Sequence, residues 1–129
     1  MDRLERVMYV EDDPDIREIA SMSLGDVGGL TVKVCESGEL ALSEAEAFAP
    51  QMILLDVMMP GMDGPRTLLE LKRQGLIGES VAVAFMTAKV HPDEVARYKE
   101  IGATDVIAKP FDPMTLADDV RAIWTAFHG

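Results

Sequence analysis

Two hydrophobic rhythms alternate along the chain. Short apolar runs rich in β-forming residues give way to longer stretches whose apolar positions recur every three or four residues, the period of a helix with one buried face. The first run, residues 6–10 (RVMYV), ends in the acidic trio Glu11, Asp12 and Asp13. Pro14 suits a first helical turn, with Asp13 as its cap. From there Ile16, Ile19, Ala20, Leu24 and Val27 share a helical face, and Gly28 with Gly29 ends the helix. Residues 30–34 (LTVKV) read as a second strand; a second helix opens at Ser37 or Gly38, carries Ala41, Leu42, Ala45 and Phe48, and closes before Pro50. Residues 51–55 (QMILL) and 81–86 (VAVAFM) are almost wholly apolar, as strands covered on both faces must be. Between them residues 65–74 form a third helix, and residues 92–101 follow as a fourth. Residues 105–108 give a brief fifth strand before a last helix from Pro113, with Leu116, Val120, Ile123 and Phe127 on its inner face.

Strand and helix therefore alternate five times. Neighbouring parallel strands need crossover connections, and helices serve as those connections. The pattern predicts an α/β fold: one doubly wound, five-stranded parallel sheet with five helices on its two faces. Ligands of such sheets sit at the carboxyl ends of the strands.

Length and charge narrow the picture. With 129 residues the chain is expected to be one domain over residues 1–129, ending at Gly129 just after the last helix, with no output domain following. The formal charge of −11, from 12 basic against 23 acidic residues, disfavours direct contact with nucleic acid or anionic lipid. No apolar run approaches the roughly 20 residues of a membrane span. The amino-terminal segment turns acidic where a signal peptide would be apolar. Cys35 is the only cysteine, which fits a reducing compartment, and the cytoplasm is the expected location.

Candidate chemistry lies where the strands end. Glu11 and Asp12 follow the first, Asp56 the third, Thr87 the fourth and Lys109 the fifth. Each has an ordinary structural reading when taken singly: a helix cap, a turn former, a strand residue, a surface lysine. Delivered together to one end of one sheet, three carboxylates, a hydroxyl and an ammonium suit a phosphoryl-transfer site. The carboxylates would repel one another without a hard cation such as Mg²⁺. A carboxylate is itself able to accept a phosphoryl group, while the ammonium and hydroxyl stabilise the transferred oxygens.

VMYVEDDPDIRE, MILLDVMMPGMDG, AFMTAK and GATDVIAKPF carry a resemblance over essentially the whole chain. They are similar to the receiver domains of bacterial response regulators, the phosphoacceptor half of two-component systems. The resemblance implies a flavodoxin-like sheet of order 2-1-3-4-5. It implies that Asp56 is phosphorylated by a sensor histidine kinase or phosphotransfer protein, and that Mg²⁺ is bound by Asp12 directly, by Glu11 largely through water, by Asp56 and by the backbone carbonyl of Met58. Lys109 would pair with the phosphoryl oxygens, its bond to Pro110 would be cis, and Thr87 would move toward the phosphoryl group. Such a protein signals through protein–protein contacts to a downstream target, with its oligomeric state, dimer or otherwise, left open. It is no enzyme beyond its own phosphorylation and slow dephosphorylation. Met58 and Lys89 stand where an apolar side chain and a cation would shield the phosphoryl group from water.

One position departs from the family. Receivers carry Tyr or Phe three residues before the lysine, and this chain has Val106. That departure supports an alternative, a receiver fold kept as a phosphorylation-independent interaction module. Two enzyme readings fare worse. An aspartyl-phosphate phosphatase wants an Asp two residues after the nucleophile, where Met58 stands, and a flavin site wants a hydroxyl- and glycine-rich loop where EDDPD stands.

Overall fold

In the computed structural model, which describes residues 3–128, five parallel strands form one sheet of order β2-β1-β3-β4-β5. They are β1 (Arg6–Val10), β2 (Thr31–Cys35), β3 (Met52–Asp56), β4 (Ala82–Thr87) and β5 (Asp105–Ala108). The helices between and after them are α1 (Pro14–Ser21), α2 (Gly38–Phe48), α3 (Gly64–Arg73), α4 (Pro92–Glu100) and α5 (Leu116–His128). The fold class read from the sequence is the one observed.

Alternation of side chains along the strands divides the interior into two cores. Val7, Tyr9, Met52, Leu54, Ala84 and Met86 point to the side covered by α1 and α5, where they meet Leu24, Leu116, Val120 and Trp124. Met8, Val10, Ile53, Leu55, Val83 and Phe85 point to the other side, against Ala41, Ala45, Leu68, Leu71 and Tyr98 of α2, α3 and α4. Every residue of β3 and β4 is buried. Covering both faces of these central strands leaves their ends as the part open to solvent, and that is where polar chemistry is placed.

Three sequence expectations are corrected. The first helix does not run unbroken to Val27: α1 stops at Ser21 and residues Met22–Val27 continue as a π-helical segment. Wider i→i+5 winding breaks the 3.6-residue repeat, so Leu24 stays buried while Val27 is 58% exposed. Ile19, at the rim of the short α1, is also exposed. The segment is tied down where Ser23 Oγ donates to the Pro113 carbonyl and Gly28 packs too close to Ala117 for any side chain. Pro113 lies in a turn rather than in α5, with Asp112 Oδ1 accepting from Met114 N at 2.8 Å. One turn beyond Val120 it is Trp124 that faces inward, while Ile123 is half-buried and Phe127 is exposed. Finally, β2, β3 and β4 each begin one residue later than expected, which makes Asp56 and Thr87 the last residues of their strands.

Candidate functional site

The carboxyl ends of β1, β3, β4 and β5 converge on a cleft of about 310 Å³ lined by Glu11, Asp12, Asp56, Met58, Thr87 and Lys109, with Asp13 and Ala88 at its margin. All the residues singled out for this site thus lie around one cleft. Carboxylate oxygens of Glu11, Asp12 and Asp56 fall within 4.8 Å of one another. Ligands about 2.1 Å from an octahedral Mg²⁺ stand roughly 3–4 Å apart, so this spacing fits a shared divalent cation after small adjustment. Glu11 and Asp56 are buried, at 1% and 4% exposure, and Asp12 is exposed. The cluster therefore has a closed floor and one solvent-facing ligand.

Lys109 bridges the two buried carboxylates. Its Nζ donates to Glu11 Oε1 at 2.8 Å and to Asp56 Oδ1 at 3.0 Å. Partial burial pulls the ammonium's pKa down, but the hydrogen bonds and the negative charges of Glu11 and Asp56 together outweigh it and the net shift is upward, so the charge is held firmly. The Lys109–Pro110 peptide is cis. Asp12 has a raised pKa, first from partial desolvation and then from its hydrogen bond with Glu11. Burial leads the Asp12 shift and the neighbouring Glu11 adds to it, whereas the two carboxylates raise Lys109.

The other members are set by local structure. Asp56 ends β3 paired with Met86 of β4, and Val57 N donates back to the Met86 carbonyl at 3.2 Å. Gly64, buried at the start of α3, donates from its N to the Val57 carbonyl at 2.9 Å. A Cβ there would collide with the Asp56 carbonyl oxygen, so only glycine lets α3 sit this close behind the acceptor strand. Asp63 caps α3 by accepting from Arg66 N at 2.9 Å. Thr87 is buried, and its Oγ1 accepts from Lys89 N at 3.0 Å, which leaves the hydroxyl proton free to be donated elsewhere. Met58 is 77% exposed at the cleft mouth, and Lys89 is exposed beside Thr87 on a neighbouring groove.

Two residues around the site carry no mark in the sequence pattern. Arg17 reaches back from α1 and donates from Nη1 to the carbonyls of Glu11 and Asp12 at 2.8 and 2.9 Å. Its position one turn after the Asp13 cap is the only available signal. Tyr9 is buried beneath the acidic cluster with its hydroxyl unpartnered. Burial, and then the fields of Glu11 and Asp56, push its pKa far upward and keep the phenol neutral. Val106 is half-buried and packs against the core that holds Phe85 and Tyr98, which meet edge to face at 5.0 Å. His91 is exposed as the residue preceding α4. Cys35 is buried, and burial pushes its thiol pKa up to about 11.

Comparison with known proteins bears on the family and the fold. The chain is 34% identical over 118 residues to the DNA-binding response regulator MtrA of Mycolicibacterium smegmatis, covering 92% of this chain and 50% of that protein. It is 33% identical over 118 residues to the phosphate regulon transcriptional regulatory protein PhoB of Escherichia coli, covering 92% of this chain and 51% of that one. The chain thus spans about half the length of these curated relatives. Among solved structures it superposes on chemotaxis protein CheY4 of Vibrio cholerae with a TM-score of 0.85 at 28% identity, covering 93% and 98% of the two chains. The sequence profile of the response regulator receiver domain matches residues 7–121, and the chain belongs to that family.

Proposed function

We propose that this protein is a working phosphoacceptor receiver: Asp56 takes a phosphoryl group from a histidine kinase or phosphotransfer protein in a Mg²⁺-dependent reaction, and the modified domain signals by docking on another protein. The observation that carries the reading is the bridge of Lys109 between the buried Glu11 and Asp56, with Asp12 alongside, at the carboxyl ends of β1, β3 and β5.

The chemistry follows from which atoms are already engaged. Lys109 occupies Asp56 Oδ1, so Oδ2 is the oxygen available for attack. An electron pair from Oδ2 forms the new P–O bond as the P–N bond of the donor phosphohistidine breaks; the leaving imidazole nitrogen keeps the P–N bonding pair and takes up a proton. Little covalent work is asked of the protein beyond positioning and charge compensation. Lys109 then has a phosphoryl oxygen to pair with, and the free Thr87 proton can be donated to another. Three carboxylates against one ammonium leave the site too negative for a phosphoryl group to enter alone. Mg²⁺, held by Glu11, Asp12, Asp56 and the Met58 carbonyl, would supply the missing positive charge.

Output through protein contacts suits a surface of charge −11. The relatives named as DNA-binding or transcriptional regulators extend beyond the region matched here, and direct DNA contact is not part of this proposal. Among the described residues no helix is long and apolar enough to cross a membrane, and we place the protein's action in the cytoplasm beside its kinase.

Val106 favours the second reading, an interaction module that no longer answers to phosphorylation, because a half-buried valine offers no large ring to relocate when Thr87 moves. Intact-mass analysis after incubation with Mg²⁺ and acetyl phosphate separates the two. A phosphoryl adduct that needs Mg²⁺ and is absent from Asp56→Asn supports the acceptor. A folded, Mg²⁺-saturated protein that gains no adduct from acetyl phosphate or from a cognate kinase would leave the silent module.

A further inference from the structure

We infer that Arg17 is a positioning residue for the divalent-cation site, fixing the backbone of Glu11 and Asp12 so that their carboxylates converge with Asp56; the inference rests on the proposed function above.

The case begins with helix geometry. Asp13 caps α1 by accepting from Asp15 N at 2.8 Å and Ile16 N at 3.3 Å, and Arg17 N donates to the Asp13 carbonyl at 3.0 Å as the first turn closes. Side chains in a helix lean toward its amino terminus. A long side chain at this position therefore lies over the loop that leaves β1. Arg17 does so: one nitrogen, Nη1, spends its two N–H groups on two consecutive carbonyls, Glu11 at 2.8 Å and Asp12 at 2.9 Å. The peptide following each acidic residue is thereby held in one orientation, and the side chains it carries are turned with it.

What Arg17 leaves alone is equally telling. A guanidinium beside an acidic cluster would ordinarily take a carboxylate. Among the described residues Arg17 forms no ion pair within 4.0 Å, unlike Lys109, which engages both Glu11 and Asp56. Arg17 thus takes up no carboxylate oxygen that a cation could use. Glu11 has further supports: its N donates to the Cys35 carbonyl at 3.0 Å and its side chain is gripped by Lys109. Asp12 is exposed and lacks these braces. Its orientation depends most on Arg17. The two N–H groups of Nη1 are fixed in the guanidinium plane at the end of the longer arginine side chain; a lysine ammonium, with rotating N–H groups on a shorter, flexible stem, holds the two carbonyls less firmly.

Groups that orient metal ligands without touching the metal typically contribute 10–100-fold to metal affinity. The test is calorimetric titration of the full chain with Mg²⁺, comparing wild type with Arg17→Met, which keeps an apolar stem, and Arg17→Lys. The Mg²⁺ Kd rises about tenfold or more in Arg17→Met and by less in Arg17→Lys. The Mg²⁺ concentration giving half-maximal adduct formation from acetyl phosphate rises by the same factor. A purely structural role would lower the urea midpoint in EDTA and leave Kd in place. A Kd within twofold of wild type in folded Arg17→Met overturns the inference. Should that variant unfold at the assay temperature, an unchanged Kd in Arg17→Lys overturns it instead. A wild-type chain that binds no Mg²⁺ sinks the proposed function and this inference with it, an outcome distinct from tight wild-type binding that survives loss of Arg17.

Discussion

Replacing Lys109 with methionine removes the one ammonium that neutralises Glu11 and Asp56 while keeping its aliphatic bulk. The substitution breaks two ion pairs, 2.8 and 3.0 Å long, to carboxylates that water scarcely reaches. Breaking a buried ion pair by deleting one partner costs roughly 3–5 kcal/mol, because the other charge is left uncompensated. The Lys109 side chain is itself 21% exposed at an open cleft, so the lower end applies, about 3 kcal/mol. For a chain of this size that corresponds to a fall in Tm of about 10 °C. Urea unfolding of the Lys109→Met variant beside wild type, in EDTA at neutral pH, measures it. The gap should shrink when Mg²⁺ supplies the missing countercharge. Lys109 has a folded pKa above its usual 10.5. Its contribution is therefore complete below that value and is lost as pH rises through the folded pKa, closing the gap from the alkaline side. A gap under about 1 kcal/mol in EDTA, or one that Mg²⁺ leaves untouched, would refute the view that the site's charge balance hangs on this ammonium.

Three other outcomes are expected. Gly64→Ala forces a methyl group into the Asp56 carbonyl and should cost about 1–3 kcal/mol in urea unfolding with slower adduct formation; a neutral result would mean α3 can retreat. Glu70 is gripped by Arg73 at 2.7 and 2.9 Å and by Gln74 at 3.0 Å, and these hydrogen bonds, Arg73 first, hold its pKa down at about 2. Its stabilisation is present above the ordinary carboxylate pKa and is lost as pH falls from about 4.5 toward 2; urea midpoints of wild type and Glu70→Gln should differ above that window and converge within it. The exposed, apolar Met58 and the cation of Lys89 leave attacking water without a base, so the double variant Met58→Asn, Lys89→Glu should shorten the phospho-Asp56 lifetime by roughly tenfold or more, with equal lifetimes contradicting the shielding.

What residues alone disclose is what periodicity and strand ends encode. The unbroken apolar stretches of β3 and β4 announce strands buried on both faces, and the polar residue closing each is forced toward the open end of the sheet. That is why Asp56 and Thr87 are legible without coordinates. Val27 and Phe127 depart from expectation because a fixed helical repeat does not survive a change of winding in one case, and yields to Trp124, the larger inward ring, in the other. Arg17 and Gly64 act through backbone atoms, the first by donating to carbonyls and the second by letting a peptide approach. Neither function leaves a hydrophobic pattern to find.

The residues that bridge the cleft are far apart in the chain: Lys109 meets Glu11 across 98 positions and Asp56 across 53. Because β5 lies at the sheet's edge beside β4, its lysine meets Glu11 and Asp56 only once β1, β3, β4 and β5 stand side by side. Long loops of this kind are slow and entropically costly to close before their contacts form. If Asp56 is the acceptor proposed above, its competence would double as a check that these strands have assembled. A chain still emerging from the ribosome, or one trapped short of docking β5, would present Asp56 without its ammonium partner.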